Sequence, residues 1–86
     1  MIIEQYLTKR ANIITSIQND LETLATWEYK EFMPLDKLSQ SDRLIVTLSG
    51  FNSVHDMLED VRNYAQKKKQ ALLRLESKIK KLNERI

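Results

Sequence analysis

A chain of 86 residues with a net charge of +2 has room for one domain at most, and alone it would bury only about 60% of its unfolded surface. The absence of cysteine excludes disulfides and thiolate metal sites, and a single histidine excludes a histidine-cluster site. Association with a partner, or with a second copy, is the remaining route to added stability.

Gly50 is the only glycine and Pro34 the only proline. Sheets and loop-rich folds use more of both at their turns, so an all-α fold with long elements is expected. No apolar run approaches the roughly 20 residues of a membrane span. Met1-Ile2-Ile3-Glu4 lacks the basic start and long apolar stretch of a signal peptide. A cytoplasmic protein without membrane contact is the expectation.

The first helix is predicted over residues 3–33. Ile3, Leu7, Ile14, Ile17, Leu21 and Leu24 fall at steps of three, four or their sum, the spacing of a coiled-coil seam that Arg10 interrupts. Beyond Leu24 the seam positions become Glu28 and Glu31, while Trp27 and Phe32 supply the bulk, because a straight helix drifts against a 3.5-residue repeat. Pro34 closes the helix: it lacks an N–H and disfavours helical backbone at Met33.

A short middle helix is predicted over residues 40–49. Ser39-Gln40-Ser41-Asp42 supplies capping hydroxyls and early negative charge. Leu44, Leu48 and Phe51 share one face, and Gly50 sits where a glycine closes a helix. The rival is a strand over Leu44-Ile45-Val46-Thr47-Leu48. It has no second strand candidate to pair with, so helix is preferred.

The last helix is predicted over residues 53–86. Ser53-Val54-His55-Asp56 has the form of a capping box with Asp in place of Glu. The seam then runs Val54, Leu58, Val61, Ala65, Lys68, Leu72, Leu75, Ile79, Leu82, Ile86, broken only by Lys68. A helix of this length needs a neighbour along it. An antiparallel helical hairpin with the first helix provides one, although exchange of helices between two chains would use the same contacts. Placing Phe32 opposite Val54 sets Arg10 near Glu76, Lys68 near Gln18 and Asp20, and Glu4 near Lys81 and Arg85, so the seam-breaking cations meet acceptors. A homodimer with a four-helix-bundle-like core is expected to cover the apolar groups that remain.

Charge is uneven along the chain. Residues 1–64 carry six Lys/Arg against ten Asp/Glu, a net of −4, and residues 65–86 carry eight against two, a net of +6. Lys67, Arg74 and Lys81, seven apart, form one row, and Lys78 and Arg85 form a second. These five are the candidate surface for phosphate or an acidic partner, against the plainer reading of a solvated face at a helix C-terminus. Tyr6, Ile13, Tyr29, Tyr64 and Leu73 lie off the seams and are the candidate protein interface. Trp27 and Phe32 are expected in a local core with Val54, Met57 and Leu58.

Nothing in the sequence carries a reaction. His55 has no nucleophile arrangement near it and reads as a helix-start residue, and Glu28, Glu31, Glu59 and Asp60 read as surface charge. No phosphate loop, dinucleotide fingerprint or zinc-protease motif occurs. No catalytic residue, metal, cofactor or small-molecule substrate is expected. The expected function is protein–protein interaction through helix surfaces, as an adaptor, inhibitor or assembly factor. The alternative is nucleic-acid binding by the basic last helix.

Overall fold

The computed structural model describes residues 2–84. Three α-helices follow one another: α1 (Ile2–Trp27), α2 (Gln40–Leu48) and α3 (Val54–Glu84). Short 3-10 turns at Glu28–Lys30 and Leu35–Lys37 lie between α1 and α2. No strand occurs among the described residues, which settles residues 44–48 as helix. None of these helices is long and apolar enough to cross a membrane.

Helix α1 packs along α3 in a rod of 59 × 19 × 18 Å. The cross-helix pairs run in opposite chain order. Glu31 meets His55 and Arg62, Asp20 meets Lys68 at 2.7 Å, and Arg10 shares a groove with Glu76 and Ile79. Lys68 thus finds Asp20 as the facing register requires, and the seam-breaking cation is neutralised where it is half-buried.

The row on α3 holds throughout. Val54, Leu58, Ala65, Leu75 and Ile79 are buried, and Val61, Lys68, Leu72 and Leu82 are half-buried. Ile86 lies outside the described residues.

The row on α1 needs correction. Ile3, Tyr6, Arg10, Ile13, Asp20, Leu24 and Trp27 are half-buried and Ile17 is buried, at alternating steps of three and four. Leu7, Ile14 and Leu21, expected in the seam, are exposed instead. Both rows share Ile3, Arg10, Ile17 and Leu24, so apolar spacing alone admits either. Trp27 adds bulk to the observed row where Glu28 would stand, and Asp20 supplies the acceptor for Lys68.

Helix α1 also stops short of Met33. At Glu28–Lys30 the backbone tightens to 3-10, which advances about 120° per residue in place of 100°. Over three residues this rotates the chain by about 60°, which carries Phe32 outward, while Glu31, four residues after Trp27, stays buried on the inner side. Phe32, expected in the core, stands 80% exposed and stacks on His55 with ring centroids 5.3 Å apart.

The middle segment packs down at this end of the rod. Leu38, Val46, Val54, Met57 and Leu58 form the buried cluster, with Leu24, Trp27, Met33, Leu35 and Phe51 against it. Full burial of Val46, Val54 and Leu58 contributes roughly 1.5–3 kcal/mol each. Leu44 and Leu48 were expected on the packed face of α2, but Val46 takes that place and both leucines are exposed. The caps are as the sequence predicts. Asp42 N–H donates to Ser39 Oγ at 3.2 Å and Asp56 N–H to Ser53 Oγ at 3.0 Å. Gly50, at φ 87°, donates to the Thr47 carbonyl while Phe51 donates to the Val46 carbonyl, the paired bonds of a Schellman ending.

Candidate interaction surfaces

Because Tyr6, Ile13 and Asp20 turn toward α3, the positions one residue further on are left at the flank of α1. Leu7, Ile14 and Leu21 are 40%, 37% and 48% exposed. Ala11, Gln18 and Ala25 alternate with them and are also exposed. From Ala11 to Asn19 there is no charged residue, in a chain where 30% of residues are charged. The hydroxyls of Thr15, Thr23 and Thr26 donate to the carbonyls of Ala11, Asn19 and Glu22 at 3.0, 3.0 and 2.8 Å, so these protons are engaged within the helix. The result is a neutral, partly apolar strip about 27 Å long from Leu7 to Ala25.

Of the residues expected at a protein interface, Tyr6 and Ile13 are half-buried against α3 and do not stand free. Tyr29, Tyr64 and Leu73 are exposed. They do not form one surface: Tyr64 and Leu73, nine residues apart, point to opposite sides of α3. Tyr29 lies at the far end of α1, where the Lys30 ammonium sits 5.1 Å from its ring, and the Lys67 ammonium lies 5.7 Å from the Tyr64 ring. Apolar spacing alone places Leu7, Ile14 and Leu21 in the seam, which conceals this strip; the observed row runs one residue earlier at those three positions.

The basic positions Lys67, Arg74, Lys78 and Lys81 are all exposed on α3, and Arg85 lies outside the described residues. A groove of about 180 Å³ between α1 and α3 has Tyr6, Ile13, Ala71 and Leu75 along it and Lys9, Arg74 and Lys78 around it, with no acid among its lining residues. Lys9 was not anticipated here, although the antiparallel register already places it opposite this stretch of α3.

A charged cluster joins the end of α1 to α3. Glu31 is buried, at 8% exposure, and both its oxygens accept from Arg62: Nη1 to Oε2 and Nη2 to Oε1, each at 2.7 Å. His55 Nδ1 lies 2.8 Å from Oε2. A carboxylate only accepts, so Nδ1 carries the proton of that bond. The Arg62 guanidinium, and then His55, hold the Glu31 carboxyl down to about 2 from its ordinary 4.5, and the carboxylates of Glu31 and Glu59 hold Arg62 well above its ordinary range. The expectation of surface charge at Glu31 is corrected: it is buried, and its place four residues after Trp27 in the inward-facing row is the signal for that.

Donor atoms of Glu31, His55 and Glu59 lie within 4.8 Å of one another, the spacing of a metal-ligand set. Arg62 donates to both carboxylates, to Glu59 at 2.8 Å, so a fixed cation already stands between them. Nearby, Lys30 donates to Asp42 at 2.6 Å and ties the end of α1 to the start of α2. That pair raises the Lys30 ammonium and lowers the Asp42 carboxyl. The Arg43 guanidinium donates to the carbonyls of Leu35 and Leu38 at 3.1 and 3.4 Å and closes the turn before α2. Each of these charged groups is engaged in holding the fold together.

Comparison with family models, curated proteins and solved structures finds no match to this chain.

Proposed function

We propose that this protein is a non-catalytic interaction module that acts through a helix surface and works as a homodimer, two hairpins meeting in a four-helix arrangement. The observation that carries the reading is the neutral strip of Leu7, Ala11, Ile14, Leu21 and Ala25 on α1. Depletion of charge and a run of apolar groups are what the centre of an interface shows. A two-helix rod of 86 residues also gains most from a neighbour that covers such a face. The non-catalytic part draws support from Glu31, whose oxygens are taken by Arg62 and His55. Light scattering on the full chain at 10 to about 100 µM tests the reading. A mass near twice 10.2 kDa is expected, and Ile14→Glu should reduce it to that of one chain. A single-chain mass for the unaltered protein across that range would overturn the reading.

A second reading, binding of nucleic-acid phosphates, is favoured by the acid-free groove where Lys9 joins Arg74 and Lys78. Cations aligned along a helix neutralise a phosphate backbone without reading bases. No binding to single- or double-stranded nucleic acid at low salt would remove it.

A further inference from the structure

Resting on the homodimer reading, we infer that the two copies meet antiparallel along α1, in a register where facing residue numbers sum to about 32. Leu7, Ala11, Ile14, Gln18, Leu21 and Ala25 step by four and three residues, so they form a second seam beside the one that α3 covers. A two-fold axis near residue 16 then sets Leu7 on Ala25 of the second copy, Ala11 on Leu21, and Ile14 on Gln18. Each leucine meets an alanine, and Ile14 meets Gln18 in the two central layers, so every layer pairs a larger with a smaller or more flexible side chain and the packing is even. A parallel pairing would set Leu7 on Leu7 and Ala11 on Ala11, with layers alternately crowded and hollow.

The occupant is a second copy because the face is self-complementary and neutral. A charged partner surface would lose water at Ala11 to Asn19 and find no counter-charge there. On the flanks of the antiparallel pair, Thr15 lies beside Thr15 of the other copy and Glu22 beside Thr8, so no like charges are forced together within the seam. Gln18 is the one polar residue in the strip, and the two copies bring their Gln18 side chains into neighbouring layers about the axis. A polar layer of this kind fixes register at some cost in affinity. The footprint, about 27 Å by 10–12 Å per copy, is small for a stable interface, so dissociation in the micromolar range is expected.

The chain has no cysteine of its own, so introduced thiols report the geometry directly. Ala11→Cys with Leu21→Cys in one full-length chain places each thiol opposite the other's partner. Mild oxidation, at a concentration where light scattering shows the dimer, should give a disulfide-linked dimer. Ala11→Cys alone should stay unlinked, because residue 11 and its copy are about 15 Å apart in this register. Both positions are exposed, so the fold should survive, and circular dichroism confirms it. Ready linking by the single variant would overturn the antiparallel register in favour of a parallel one. A dimeric mass with no linking in either variant would place the interface elsewhere and overturn the inference while the homodimer reading stands. A single-chain mass would overturn both.

Discussion

The carboxylate of Glu31, at the end of the first long helix, is gripped by the guanidinium of Arg62 through two bonds of 2.7 Å. A buried acid in such a clasp links folding to pH. Its folded value is about 2 against an ordinary 4.5, so the folded state binds this proton less readily than the unfolded one. The stabilisation is fully present above pH 4.5 and is lost as the pH falls from there toward about 2. Glu31→Gln removes this titration. Denaturant melts from pH 7 to about pH 2 should show the unaltered protein losing stability more steeply than Glu31→Gln across that window. Parallel curves would refute the link.

Removing one partner of a pair hurts most where the other stays buried and charged. Arg62→Ala strands Glu31, whose side chain is 9% exposed, whereas Lys68→Ala leaves Asp20 at 19%, able to regain water. Thermal melts at pH 7 should therefore rank Arg62→Ala clearly below Lys68→Ala. The reverse order would show that the clasp at the end of the rod matters less than the mid-rod pair.

The turn after α2 offers a cleaner backbone test. Gly50 has φ 87°, and a Cβ added there meets nothing within 4 Å. Any loss in Gly50→Ala then comes from the left-handed backbone alone, about 1 kcal/mol. A loss of several kcal/mol in chemical denaturation would mean that the Phe51–Val46 bond, and the packing it sets, had also failed.

Much of this was readable from residue order, and the failures share a cause. The three-four spacing on α3 has one apolar solution, so its row was legible from Val54 to Leu82. On α1 two solutions share Ile3, Arg10, Ile17 and Leu24, and choosing between them needs the partner: Asp20 has to face Lys68. The caps at Ser39, Ser53 and Gly50 depend on neighbouring residues alone, which is why their chemistry was visible. Phe32 is hidden from a local reading because nothing nearby announces the 3-10 turn at Glu28–Lys30, whose rotation carries it outward, whereas Glu31, four residues after Trp27, simply continues the inward row.

The core is concentrated at one end, and Leu58 sits in its middle with no exposure. Leu58→Ala should cost about 2–5 kcal/mol, a large share of what a domain this small possesses. Leu73, exposed on α3, has no such surroundings, and Leu73→Ala should change stability by less than about 0.5 kcal/mol. Urea melts on the two variants measure the contrast. Equal losses would mean that Leu73 is covered in solution, which would extend the self-association surface from α1 to α3.

Binding of phosphates by α3 would show in its salt dependence. Lys67, Arg74 and Lys81 stand seven apart on one exposed row, and each phosphate contact made by such a cation releases about one counterion. If a single-stranded or duplex nucleic acid binds at low salt, Lys67→Ala, Arg74→Ala and Lys81→Ala should each lower the slope of log affinity against log salt by roughly one. Lys9→Ala should do the same, because Lys9 borders, from α1, the groove that Arg74 and Lys78 line. Lys80, a little over half a turn from Lys78 and in the groove with Arg10 and Glu84, faces elsewhere and serves as the control. An unchanged slope in the Lys67, Arg74 and Lys81 triple variant would show the row to be a solvated face and leave α1 as the surface on which function rests.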